Sequence, residues 1–166
     1  MRIVLITLIL SVYVNCQNID DVGWRGLRPL RSTEQEVEAM LGKGEAEGLG
    51  YRAFNGDGFK LRVYFSPGRC SGDTFGRPLY SIPKGKIIEY VVYFKEPIAL
   101  SSLHFNRSNY KVVPDPENPY RFVLRSPSDE VIIMAGEVDG NEVFNQIVMR
   151  PSQKALSKLT CNTNRN

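Results

Sequence analysis

The stretch Lys86–Phe94, KIIEYVVYF, decides the fold. It is β-branched and aromatic almost throughout, the composition that suits a pleated surface packed by neighbours, and this places it centrally in a sheet. Upstream, Tyr51–Asn55 and Phe59–Ser66 flank Asn55-Gly56-Asp57-Gly58, a hairpin signal because Asn, Asp and Gly tolerate positive φ. Within the second of these strands Phe59, Leu61, Val63 and Phe65 alternate with Lys60, Arg62 and Tyr64. One face is therefore core and the other wet. Downstream, Tyr120–Arg125, Glu130–Glu137 and Glu142–Arg150 read as three more strands, joined by Pro127-Ser128-Asp129 and by Asp139-Gly140-Asn141.

The remaining segments surround that sheet. Residues 17–31 form an irregular arm containing Gly23, Gly26 and Pro29, with Trp24 as its anchor on the core. Ser32-Thr33-Glu34-Gln35-Glu36 offers two overlapping capping boxes, Ser32 with Gln35 and Thr33 with Glu36. A short helix follows, with Leu30, Val37, Met40 and Leu41 supplying a one-sided apolar face and Gly42 as its stop. Gly42–Gly50 reads as a connector without regular structure, Pro67–Gly85 as a long loop, and Pro97–Tyr120 as a turn of helix near Leu100–Phe105 followed by a proline loop. Gln153–Thr160 is a short amphipathic tail. The expected architecture is α+β, an antiparallel sheet of five to six strands with one or two short helices packed on one face.

Length and composition bound the rest. The chain has 166 residues, 42% hydrophobic and 23% charged, with 21 Lys+Arg against 18 Asp+Glu, which excludes disordered and fibrous classes. Met1-Arg2 followed by the apolar run from Ile3 to Val14 has the form of a secretory leader, and the run is too short to span a bilayer. Cleavage after Cys16 leaves residues 17–166 as a single domain. The competing reading is acylation of Cys16, as in a bacterial lipoprotein, but Tyr13-Val14-Asn15 lacks the small residues which that processing expects, so a lipid anchor is disfavoured. The leader holds one cation and no acid, so its removal lowers the net charge from +3 to +2. That charge is spread along the chain, without the dense basic stripe of a nucleic-acid binder. Cys70 and Cys161 then remain as an even pair in an oxidising compartment, which favours a disulfide over two buried thiols.

Leu27–Gly42, LRPLRSTEQEVEAMLG, is similar to the opening helix of BamE/SmpA/OmlA-type envelope proteins, whose Thr-x-x-x-Val-x-x-x-Leu-Gly pattern reads here as Thr33, Val37, Leu41 and Gly42. The resemblance implies an α+β domain with an envelope-side binding or assembly role. The order Trp24, Pro29–Thr33, Gly42, Tyr64–Cys70, Pro83-Lys84-Gly85 and a late Cys161 also resembles an uncharacterised family of secreted bacterial proteins.

No catalytic signature assembles in the sequence. His104 is the single histidine and makes neither a triad nor a metal cluster. Asp115-Pro116-Glu117, and Asp129-Glu130 with Glu137 and Asp139, lack calcium-loop spacing and read as turn residues. Asn106-Arg107-Ser108 matches the N-glycosylation sequon. Arg25, Arg28 and Arg31 recur every third residue and form either a basic stripe or part of a mixed solvated surface. The tyrosines are the most suggestive feature: if Tyr64 and either Tyr90 or Tyr93 share the outer face, they make an aromatic platform for contact. The expectation is a secreted or periplasmic, non-enzymatic protein-interaction module without cofactor, metal or nucleic acid, whose partner is another envelope or extracellular protein. A binder of small molecules or surface polymers is the alternative.

Overall fold

Antiparallel pairing organises the chain from Glu45 to Met149. The computed structural model describes residues 18–71 and 79–161, so the expected leader and Cys16 lie outside the described residues. Among the described residues, eight strands form one sheet: β1 Glu45–Glu47, β2 Tyr51–Gly56, β3 Phe59–Phe65, β4 Ile87–Ala99, β5 Lys111–Pro114, β6 Arg121–Arg125, β7 Val131–Val138 and β8 Asn141–Met149. Their spatial order is β1-β2-β3-β4-β8-β7-β6-β5. Two four-stranded meanders thus meet where β4 pairs with β8, and the short strands β1 and β5 occupy the edges.

Register assigns every side chain to a face, because paired residues in an antiparallel ladder point the same way. Leu61 pairs with Val92, Val92 with Ile147, Ile147 with Ile133, and Ile133 with Leu124. All five are fully buried, so one apolar row crosses β3, β4, β8, β7 and β6 on what we term the first face. Removing such side chains from water stabilises the fold by roughly 1.5–3 kcal/mol each. The arm lies on this face with Ile19 of helix α1 (Ile19–Val22), Trp24 and Leu27, as does Val37 of helix α2 (Glu34–Leu41). So do Leu100, Leu103, Phe105 and Tyr110 from the β4–β5 connection.

The second face is covered at one end only. There Tyr64, Ile82 and Ile88 form a smaller cluster with Leu30, Tyr51, Tyr80 and Leu159. A disulfide joins Cys70 to Cys161, with 5.7 Å between their α-carbons, and Tyr80 bridges Thr160 in antiparallel fashion. The loop after β3 and the carboxy-terminal segment after helix α3 (Gln153–Ser157) therefore form one lid on the second face.

Three expectations are corrected. The strand count of five to six rises to eight, because the Gly42–Gly50 connector contains β1 and the Pro97–Tyr120 loop contains β5. Both are edge strands, which need one partner and no continuous apolar pattern, and so escape a reading based on alternation. Strand β4 also runs past Phe94 through Pro97, with its register to β8 interrupted between Tyr93 and Ile98 so that Pro97 sits outside the regular ladder. Finally, the elements outside the sheet do not share one face. Helix α2 lies on the first, whereas the segment carrying α3 closes on the second.

A groove on the second face as candidate functional site

Asp139 and Gly140, both at positive φ, form the two-residue turn of the β7–β8 hairpin. This is the geometry that an Asp-Gly pair supplies for strands of native twist. It sets a register in which Met134 lies opposite Gln146, and Gly136 opposite Val143. Strand β6 adds Val123 beside Met134 and Arg121 beside Gly136, and β5 adds Val113 beside Val123. These positions all belong to the second face.

No other element among the described residues covers them, and they line a groove of about 650 Å³ closed at its margins by Pro97, by Pro114–Pro116 and by Tyr120. Met134 is 37% exposed, Val138 51% and Tyr120 67%. Contiguous apolar exposure of this kind marks contact sites on soluble proteins.

The rim is fixed by short-range hydrogen bonds. The Tyr120 amide donates to Asn118 Oδ1 at 3.0 Å, and the Tyr120 carbonyl accepts from the Glu137 amide at 2.9 Å. The Glu117 amide donates to Asp115 Oδ1 at 2.9 Å. A β-carbon at Gly136 would stand 2.7 Å from the Tyr120 carbonyl oxygen, so glycine is what lets Tyr120 approach β7. Arg121 and Asp115 place both signs of charge beside the apolar floor. The lining includes no Ser, Thr, Cys, His or Lys among the described residues. Its chemistry is that of apolar contact framed by hydrogen-bonding and ionic groups.

The residues singled out from the sequence lie elsewhere. Tyr90 faces the core and is fully buried: its hydroxyl donates to the Leu27 carbonyl at 2.8 Å and accepts the Trp24 amide at 3.0 Å. Burial raises its phenol well above the ordinary tyrosine range, opposed in part by the Trp24 amide. It cannot belong to an exposed platform. Tyr64 and Tyr93 do share the second face, since Tyr64 pairs with Glu89 and Tyr93 with Lys60. Tyr64, however, is buried beneath the lid and packs on the Tyr51 ring at 5.7 Å. Around Tyr93, Arg62 donates to the Tyr93 hydroxyl at 3.4 Å and to Glu47 at 2.6 Å, and it lies 4.7 Å from the Tyr51 ring centre. Lys60 also donates to Glu47, and its hydrogen bond leads the effects that hold that carboxyl below the usual range. This half of the face is a self-satisfied polar network.

The arginines are not brought together. The arm is not a regular helix, and Arg25 stacks over the Trp24 and Phe59 rings at 4.9 and 4.7 Å. Arg31 lies beside Lys86, whose ammonium donates to the Arg31 carbonyl. Phe59 and Lys86 mark opposite ends of the β3–β4 ladder, so the three-residue spacing makes no continuous stripe. Arg28 lies between, its amide donating to Ser32 Oγ at 3.1 Å.

His104 is exposed in the β4–β5 connection, where its carbonyl accepts the Ile19 amide. Asn106 is exposed too, its Oδ1 accepting the Ser108 hydroxyl at 2.7 Å. Asp129 faces Arg125 and Arg150, and Glu130 accepts from Ser128 and Ser152. Among the described residues, no three His, Cys, Asp or Glu side chains gather in one place. No helix among them is long and apolar enough to cross a membrane. The groove itself was missed by the sequence reading. Its signal was Val123 and Met134 at positions that alternation assigns to the wet face.

Comparison with family models, with curated proteins and with solved structures yields no match to this chain.

Proposed function

We propose that the protein is a secreted or envelope-side, non-enzymatic interaction module that binds another protein through the groove on the β5–β8 half of its second face. The observation that carries this reading is a partly exposed apolar floor, Val123, Met134 and Val143, that no other described element covers. A side chain from a partner would remove that floor from water, and the charged rim would orient it. The disulfide and the apolar leader support an oxidising compartment as the place of work. The resemblance of Leu27–Gly42 to BamE/SmpA/OmlA-type proteins supports the envelope side.

The test is crosslinked affinity capture of the tagged full-length protein from its native secreted and envelope fractions, wild type beside Met134→Glu. The substitution places a charge on the groove floor without entering the first-face core. Expected is a specific partner lost by about tenfold or more in the variant. Equal capture by both proteins overturns the groove as the binding surface. The groove volume also falls within the range of small-molecule sites, roughly 300–1,000 Å³. A variant-sensitive metabolite or glycan with no protein partner would support that second reading.

A further inference from the structure

We infer that the partner seated in this groove is a second copy of the same chain, in an isologous two-fold dimer; the inference rests on the reading of the groove as a protein-binding surface. A two-fold interface must be complementary to itself, because each residue i meets j of the mate while j meets i. The patch has that property in shape. Tyr120, the most exposed large apolar side chain among the described residues, stands at the margin of the hollow floored by Val123 and Met134. Projection and hollow on one patch let each copy place its tyrosine in the groove of the other.

The projection is also held in position. The Tyr120 amide and carbonyl are both bonded, to Asn118 and Glu137, and Gly136 permits the close approach behind it. A rigid aromatic side chain loses little conformational freedom on insertion and is favoured as an interface anchor. Charge agrees with shape: a rim of one sign would repel its own copy, whereas Arg121 with Asp115 lets the cation of each copy meet an acid of the other. Three of the five exposed large apolar side chains among the described residues, Tyr120, Met134 and Val138, lie at this groove, whereas Val112 pairs with Leu124 on the first face. The fifth, Met40, is on helix α2.

Sedimentation velocity of the mature, disulfide-bonded protein tests the inference. The wild type is expected to sediment as a dimer at about 10 μM, with Tyr120→Ala and Met134→Glu each raising the dissociation constant by about tenfold or more. Arg121→Glu should weaken the dimer, and adding Asp115→Arg should restore much of it, a rescue that a folding defect would not produce. A wild type that stays monomeric at about 100 μM overturns the dimer, as does a dimer indifferent to all of these substitutions. Met134-dependent capture of a different protein by a monomeric wild type overturns the second copy alone and leaves the interaction reading standing. A monomer whose capture is also insensitive to Met134→Glu overturns both.

Discussion

Tyr90 shows how one side chain can join two segments distant in sequence. Its ring fills the first face while its hydroxyl links the arm at Trp24 and Leu27 to the central strand. Tyr90→Phe keeps the ring but leaves the Leu27 carbonyl and the Trp24 amide without that partner. The expected loss is about 1–3 kcal/mol, read from urea unfolding. The same residue gives a signed pH dependence. Its folded pKa is raised, so the stability that depends on the neutral phenol is fully present below the ordinary value near 10 and falls as pH rises above it. Tyr110, raised by burial first and then by its bond to Asp20, adds to the same limb. Unfolding midpoints between about pH 8 and 11 should decline in the wild type and flatten in the Tyr90→Phe/Tyr110→Phe variant. At the start of α2 the two overlapping capping boxes are resolved. Thr33 and Glu36 form the reciprocal pair, whereas Ser32 Oγ accepts the Arg28 amide. Thr33→Ala should therefore cost about 1 kcal/mol in thermal or urea unfolding.

Secondary-structure elements differ in how much of their pairing depends on distant partners. Strand β5 has one neighbour, β6, and its Pro114 removes a donor, which limits pairing with a further strand. The connection leading to it is tied down by Arg107, which forms a two-pronged pair with Glu142 of β8 and lies 6.0 Å from the Phe122 ring. The Arg107 hydrogen bond holds the Glu142 carboxyl below its ordinary value of 4.5. That contribution is present above the unfolded value and is lost as pH falls through the lower folded one. Both side chains are more than a third exposed, so the pair contributes at most ~1 kcal/mol. Hydrogen exchange at residues 106–110 should accelerate as pH falls through that range, once corrected for intrinsic rates, and Arg107→Gln should abolish the pH dependence. At the groove, Gly136→Ala forces Tyr120 away from β7 and should weaken any Tyr120-dependent association more than it lowers global stability.

At the scale of the molecule, the disulfide decides whether the carboxy-terminal segment stays on the sheet. It links residues 91 apart, and in the chain-entropy argument it stabilises the fold by about 4–5 kcal/mol. The lid that it closes covers Tyr64, Ile82 and Ile88 and is otherwise joined by few backbone bonds, among them Ser81 to Leu159 and Cys161 to Leu79. A Cys70→Ser/Cys161→Ser variant should unfold at lower urea concentration and bind a hydrophobic dye at the uncovered cluster. An unchanged midpoint would show that the lid stands on its backbone bonds and packing alone.

Local chemistry along the chain determined the central strand, both hairpins, the helix beginning near Thr33 and the stop at Gly42. Each rests on neighbours a few residues apart: alternating side chains, turn residues that tolerate positive φ, and a capping pair at three-residue spacing. The pairing of Cys70 with Cys161 was legible as the single combination left once Cys16 is assigned to an expected leader. Tertiary structure alone decided the edge strands β1 and β5, because a partner's backbone rather than their own side chains makes them strands. It alone decided which wet face would be covered, since the lid reaches Tyr64 through a contact between the loop after β3 and the end of the chain. For the same reason the tyrosines at 64 and 90 could not be sorted by composition: one residue of register separates the core from the outer face. The groove exists because the described part of the lid stops short of Val123 and Met134, a fact of chain path that no local pattern contains.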